Sequence, residues 1–128
     1  ETILLVLAPE MASLRTTVSA MEIYDRLGIP LEKVKIALNN NSSNPAIKQA
    51  QLEKVLKRPI DFVLPFEAGE VNRALNFGQP FILSNPDLPI CLVLEKMAYE
   101  LSAETQKALP PAVPSPTWKR VTSQLSKK

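Results

Sequence analysis

Few residues of this chain belong to types that do chemistry, and their pattern excludes most catalytic arrangements. The 128 residues include no histidine and a single cysteine, Cys91, which excludes a His-based triad, an internal disulfide and a cysteine-based metal cluster. Only three glycines are present, and no Gly-x-x-x-x-Gly-Lys-Ser/Thr loop that could cradle phosphates occurs. We therefore expect that this chain alone is not an enzyme.

Carboxylates occur in close pairs, as general acid–base chemistry would need. Glu67 with Glu70 and Glu95 with Glu100 are the clearest examples. Because surface helices carry such pairs by default, we interpret both as parts of a solvated face. The sequence predicts no catalytic residue and no metal site.

Three apolar runs rich in branched residues predict β-strands near residues 3–8, 34–38 and 60–64. Their hydrophobicity is continuous rather than alternating, which is typical of parallel strands covered on both faces. Apolar residues at helical spacing predict helices near residues 13–27, 46–56, 68–76 and 89–103. The alternation of strands and helices predicts a three-layer α/β fold, in which right-handed crossovers place the strands side by side in a parallel sheet.

Glycine and proline mark the expected ends of these elements. Gly28 is expected to end the first helix, and Pro45 to open the second. A turn over Gly78-Gln-Pro80 breaks the third helix, and Phe81-Ile-Leu83 is expected to be a brief extended piece.

The last part of the chain differs in composition from the rest. Residues 1–104 carry ten Lys/Arg and thirteen Asp/Glu, whereas residues 105–128 carry five Lys/Arg and no acid. We expect one domain over residues 1–108 and a Pro-rich basic tail or linker over residues 109–128, interpreted as disordered or interdomain chain. The alternative is a short docking segment anchored by Trp118. The folded part indicates no nucleic-acid or membrane binding.

Composition also bears on location and completeness. No apolar run approaches the roughly 20 residues that span a bilayer. The single cysteine favours a reducing compartment, so we expect a cytoplasmic protein. The continuous hydrophobicity near residues 3–8 is typical of a strand that has a neighbouring strand on each side, yet the chain supplies only one neighbouring strand. Together with the absence of an initiator Met, this suggests a fragment whose natural start lies upstream.

Four short motifs occur in the order and spacing of a known family. They are Pro9-Glu10 with Ser13 and Arg15 after the first strand, Asn39 at a strand end, the phrase Arg58–Pro65, and Ala74-Leu-Asn-Phe-Gly-Gln-Pro80. Over residues 2–101 the chain resembles the C-terminal half of MinD/ParA-type P-loop ATPases, nearest to the CpaE branch of Flp pilus assembly ATPase-like proteins. The resemblance implies a partial P-loop NTPase fold that lacks the N-terminal phosphate-loop half.

The resemblance also implies where ATP would bind in an intact protein. In the family, an Asn at the end of the middle strand faces the adenine within an Asn-Arg pair; Asn39 takes that place here, followed by Asn40 instead of Arg. An amide donates and accepts at once, and so matches an edge of adenine. The alternative is an Asn that satisfies turn backbone. Pro65, Phe66 and Glu67 match the loop that flanks the base, although Phe66 could instead be a core residue. Mg²⁺ would be held by the missing half.

Two functional hypotheses follow. The first is the base-side part of a MinD/ParA/CpaE-like ATPase that serves pilus or secretion assembly or subcellular localisation, with pilus, secretion or partition components as partners. The second is a non-catalytic interaction or regulatory module with the same fold and no nucleotide. In both, the unpaired edge of the strand near residues 3–8 predicts a homo-oligomer.

Overall fold

The structure, a computed structural model that describes residues 2–108, 112–114 and 116–125, contains over these residues three strands, seven α-helices and one 3₁₀ turn. The strands are β1 (Ile3–Leu7), β2 (Val34–Asn39) and β3 (Phe62–Leu64). The helices are α1 (Met11–Arg26), α2 (Gln49–Leu56), α3 (Ala68–Phe77), α4 (Phe81–Ser84), α5 (Pro89–Leu101), α6 (Glu104–Ala108) and α7 (Pro116–Leu125), with the 3₁₀ turn at Leu31–Lys33. The chain divides into two compact units, Glu1–Ala68 and Gly69–Lys128.

The three strands form a parallel sheet in the order β1-β2-β3, with β2 in the centre. The register places Leu7 beside Leu38, and Leu38 beside Val63. Each strand returns to its neighbour through a helix on the same side, as right-handed crossovers require. The predicted α/β class and the parallel sheet are confirmed.

The core of the first unit lies between the sheet and helices α1 and α2. Alternate residues of β2 point into it, and both helices contribute apolar side chains to the same cluster, which places them on one face of the sheet. The buried members are Leu7, Leu14, Ile36, Leu38, Leu52, Leu56 and Ile60, with Val18, Met21, Ile47 and Val63 packed against them. Burial of this cluster is the main source of stability that the sequence provides for the unit.

Local chemistry explains where the first two helices begin and end. The hydroxyl of Ser13 accepts a hydrogen bond from the Ala8 N–H at 2.9 Å as α1 begins. Gly28 follows the end of α1 with a φ of 68°, a conformation that glycine adopts without a Cβ penalty, so its predicted role as a helix stop is confirmed. Pro45 does not open α2; the helix begins four residues later, where the Lys48 N–H donates to the Gln51 side chain at 3.0 Å.

Strand β3 is shorter than predicted because a side chain replaces part of the strand pairing. The Asp61 carboxylate accepts the Ile36 N–H at 2.8 Å, while the Asp61 N–H donates to the Ile36 carbonyl at 3.0 Å. Regular β-pairing therefore begins only at Phe62, although the chain is already bonded to β2 at Asp61.

Two predictions for the second unit are wrong. Residues 81–83 are not extended but belong to α4, in which the Asn85 N–H donates to the Phe81 carbonyl at 2.8 Å. A short apolar run fits a strand or a helix equally well, and in the described chain residues 81–83 are not part of the sheet. Of the tail predicted over residues 109–128, residues 116–125 are not disordered but form α7, which contacts α5, whereas 109–111, 115 and 126–128 lie outside the described residues. The proposed division of the chain at residue 109 stays a prediction.

None of the helices that the structure describes is both long enough and apolar enough to cross a membrane.

Candidate functional site

The carboxyl ends of the three strands meet at one edge of the sheet. Asn39, the last residue of β2, pairs with Leu64, the last residue of β3, and Leu7 ends β1 one position earlier in the same register. In open α/β sheets, ligands bind outside these ends, at a point where the strand order reverses, and the described order β1-β2-β3 contains no reversal. The strand-end residues Asn39 and Asn40, which the sequence singled out for a nucleotide site, thus lie at the carboxyl edge, the edge of such sheets on which ligands bind.

Asn39 offers an unused amide at this edge. Asn39 is exposed, and its side chain makes no hydrogen bond within the described residues. Because side chains alternate along a strand, Asn39 lies on the opposite face of β2 from the buried Leu38. The amide thus has its oxygen acceptor and both its N–H donors available to a ligand.

Asn40 has a structural contact instead. Both its backbone N–H and its side-chain Nδ2 donate to the carbonyl oxygen of Leu64, at 3.2 and 3.1 Å. These two bonds tie the chain after β2 to the end of β3. The alternative use of an Asn at a strand end, which is to satisfy turn backbone, is therefore found at Asn40 and not at Asn39.

The loop after β3 supplies the other predicted residues. Pro65 and Glu67 are half-buried, whereas Phe66 is 40% exposed, which argues against the alternative that Phe66 is a core residue. Because Leu64 accepts both hydrogen bonds from Asn40, this loop starts next to the end of β2. The structure thus brings Asn39, Asn40 and Pro65 to one edge, with an aromatic ring following them.

The motif residues Arg58 and Asp61 lie at the other end of β3 and make structural contacts. Arg58 donates to the carbonyl oxygens of Leu31 and Val34 at 3.2 and 2.9 Å, and approaches the Asp61 carboxylate at 3.5 Å. Lys35 donates to the same carboxylate at 3.0 Å. This group, which we call the Asp61 clamp (Arg58, Asp61, Lys35 and the Ile36 N–H), joins β3 to the start of β2. The clamp accounts for Arg58 and Asp61 of the motif without a ligand.

Glu95 was wrongly expected to lie on a solvated face. Its side chain is 1% exposed and is paired with the Arg120 guanidinium of α7. The hydrogen bonds to Glu95 raise the pKa of Arg120 above its ordinary value. Sequence reasoning missed this pair because its members are 25 residues apart, and no local pattern links a carboxylate to an arginine at that separation.

In the first unit, hydrogen bonds shift the pKa of the Glu53 carboxyl group. Glu53 of α2 accepts hydrogen bonds from the Gln49 side chain at 2.9 Å and from the Ile60 N–H at 3.1 Å. These bonds favour the ionised form and lower the pKa of Glu53. The contact with Ile60 holds the end of α2 near the start of β3, so its role is structural.

No arrangement of three or more Asp, Glu or Cys side chains suited to a metal ion occurs in the described part of the chain.

Comparison with known proteins identifies the fold. No family model matches the chain, and no curated protein matches it either. Among solved structures, the chain is similar to the crystal structure of a ParA family ATPase from Chlorobium tepidum TLS, with 24% sequence identity and a TM-score of 0.67. The match covers 78% of this chain but 42% of that chain, so this chain spans less than half the length of that protein. The likeness shows a ParA-type α/β fold with a parallel sheet.

Proposed function

We propose that this chain forms the base-side part of an ATP-binding domain of the MinD/ParA type, nearest to the CpaE branch. Its phosphate-binding half would then lie outside these 128 residues. The observation that carries the proposal is the unused amide of Asn39 at the carboxyl end of the central strand. The ParA-type fold supports it, because ligands of such sheets bind at that edge.

The chemistry of the strand-end residues fits an adenine base. Asn39 would face the base, since one amide can both donate to and accept from an adenine edge. Phe66 would lie beside it, where an aromatic ring can stack on a base, and Pro65 and Glu67 would shape the flanking loop. Asn40 would hold the two strand ends together through Leu64. ATP, when bound, supplies the phosphoanhydride bond that ATPases of this class hydrolyse.

In a longer protein that contains the phosphate-binding half and binds ATP, Asn39→Ala is expected to weaken ATP binding by about 1–2 kcal/mol, the usual consequence of leaving polar groups of a ligand without partners. Calorimetric titration with ATP measures the change. Asn44→Ala is the matched control, because Asn44 is an exposed asparagine of the loop that follows β2. Equal affinities in wild type and Asn39→Ala would assign Asn39 a structural role.

The 128-residue chain by itself is expected to hydrolyse no ATP and to bind it at most very weakly, because it has no loop to hold the phosphates. Micromolar ATP affinity of this chain would overturn that view. A longer protein that contains no phosphate loop and binds no nucleotide would instead favour the non-catalytic interaction module.

We also propose that the chain forms homo-oligomers through β1, in a cytoplasmic protein that works with pilus, secretion or partition components. In the described sheet, β1 pairs only with β2, and its Val6 is 59% exposed. An open strand edge with apolar side chains favours pairing with another chain.

A lysine at the edge is expected to prevent this association. Val6→Lys should turn an oligomer into a monomer in light scattering, because a charge on an edge strand opposes pairing. Leu83→Lys is the control, since Leu83 is also an exposed apolar residue, at 79%, but lies outside the sheet. A wild-type chain that is already monomeric would refute the proposal.

A further inference from the structure

Helix α7 is held against α5 by an aromatic contact. The rings of Trp118 and Tyr99 meet edge to face, with centroids 5.6 Å apart and an interplanar angle of 63°. The Lys107 ammonium lies 5.7 Å from the centre of the same Tyr99 ring. Edge-to-face rings and a cation near a ring are both favourable arrangements. Val121, one helical turn after Trp118, is 5% exposed.

A forked ion pair adds a directional contact. The Arg120 guanidinium donates to both carboxylate oxygens of Glu95, at 3.0 Å from Nε and 2.5 Å from Nη2, and to Asp87 at 2.7 Å. The Asp87 side chain is 92% exposed, whereas that of Glu95 is 1% exposed. Two parallel bonds to a planar guanidinium give geometric selectivity that lysine cannot match. Glu95 is therefore a recognition point for an arginine.

The surface of α5 that α7 contacts is a groove with space left in it. We call it the α5 groove and define it by Leu94, Glu95, Ala98 and Tyr99. A cavity of about 240 Å³ lies between these residues and Thr117, Trp118 and Val121 of α7. Helix α7 has ten residues, and isolated helices of that length are marginal in water, so its helical form depends on the groove. Docking and helix formation are thus coupled.

We propose that the α5 groove is a docking surface for helix α7 of a second copy of this chain, so that two chains can exchange these helices. A groove that has lost α7 leaves the Glu95 carboxylate without its arginine in apolar surroundings, which is costly. The occupant that relieves this cost carries an arginine two residues after an aromatic ring and just before an apolar residue. A second copy brings that sequence as Trp118-Lys-Arg-Val121.

The connection before α7 permits the exchange. Seven residues, 109–115, join α6 to α7, and three of them are proline. A Pro-rich chain of this length spans up to about 22 Å, and exchange of one element between identical chains creates no new type of contact. A short connection also gives the chain's own α7 an effective concentration of about 1 mM. Exchange in the wild type is therefore expected only when chains are concentrated to that range.

Charge reversal separates the groove from its helix and tests the proposal. The full chain with Arg120→Glu keeps the groove, but its own α7 no longer carries the arginine that pairs with Glu95. The full chain with Glu95→Arg keeps an unchanged α7, but the charge in its groove is reversed. Each alone is expected to show an exposed Trp118, the sole tryptophan of the chain, by fluorescence. Mixing the two is expected to restore the wild-type Trp118 signal in part of the tryptophans and to form mixed dimers in native mass spectrometry. The cis double variant should restore the signal without mixing.

A peptide provides the second measurement. A fluorescently labelled peptide of residues 112–125 is expected to bind the Arg120→Glu chain at least about tenfold more tightly than the wild type, whose groove is occupied. The same peptide with Arg120→Glu should lose that binding. Should Glu95→Arg fail to fold by circular dichroism, Glu95→Gln replaces it, and the double variant Glu95→Gln with Arg120→Glu should bind the unmodified peptide more weakly than the Arg120→Glu chain.

Three results would overturn the proposal. They are a mixture whose fluorescence and masses equal the sum of its two components, a peptide that binds wild type and Arg120→Glu chains equally, and an Arg120→Glu peptide that binds as well as the original. Dimers formed through β1 would be present in each variant before mixing. They therefore do not imitate the gain on mixing.

Discussion

Replacing Leu52 by alanine is expected to lower the free energy of unfolding by about 3 kcal/mol, because it removes a fully buried branched side chain and leaves a cavity. Leu52 is 0% exposed and lies in α2, where it packs in the cluster that joins both helices of the first unit to the sheet. Chemical denaturation followed by circular dichroism measures the loss as a shift of the midpoint.

Val55 is the matched control, because it lies one turn further along the same helix and is 53% exposed. Val55→Ala should change the free energy of unfolding by less than about 0.5 kcal/mol, as surface substitutions usually do. Equal losses for the two variants would contradict the packing of α2 through Leu52.

Replacing Asp61 by alanine is expected to lower the free energy of unfolding by about 2 kcal/mol, because it removes a carboxylate that serves several groups at once. The Ile36 N–H would lose its acceptor, and Lys35 and Arg58 would lose their shared anion. The side chain is 20% exposed, so water replaces only part of these contacts. The same denaturation experiment measures this loss.

Asp61→Asn separates the two roles of the carboxylate. The amide oxygen can still accept the Ile36 N–H, whereas the charge that attracts Lys35 and Arg58 is gone. We expect a loss about half that of Asp61→Ala. An Asp61→Ala chain as stable as the wild type would show that the Asp61 clamp does not stabilise β3. It would also return the Arg58–Asp61 motif to the candidates for function.

Much of the fold follows from patterns within short stretches. The continuous apolar runs at residues 3–7 and 34–38 become parallel strands, since such runs are stable only where helices cover the sheet. Gly28 ends α1 because a positive φ is available there at little cost. The ends of helices were less predictable. Helix α2 begins at Gln49, where the Gln51 side chain accepts a hydrogen bond from the Lys48 N–H, and not at Pro45 as the sequence predicted.

The sequence predicted where the candidate site lies, but not which of its two asparagines makes a structural hydrogen bond. The end of β2 was identified from the sequence, and both Asn39 and Asn40 were candidates there. The pairing of β2 with β3 distinguishes their contacts, because it places the Leu64 carbonyl within reach of Asn40, whereas the Asn39 side chain makes no hydrogen bond among the described residues. Distances between strands are not encoded in any single stretch of chain.

The sequence by itself determined the α/β class, the parallel strands, and the absence of a phosphate loop from these 128 residues. These are consequences of local composition and spacing. The tertiary structure alone decided that Glu95 is buried against Arg120, and that residues 116–125 form a docked helix. Such contacts join residues far apart along the chain. They depend on the three-dimensional placement of α5 and α7, which the residues between them do not reveal.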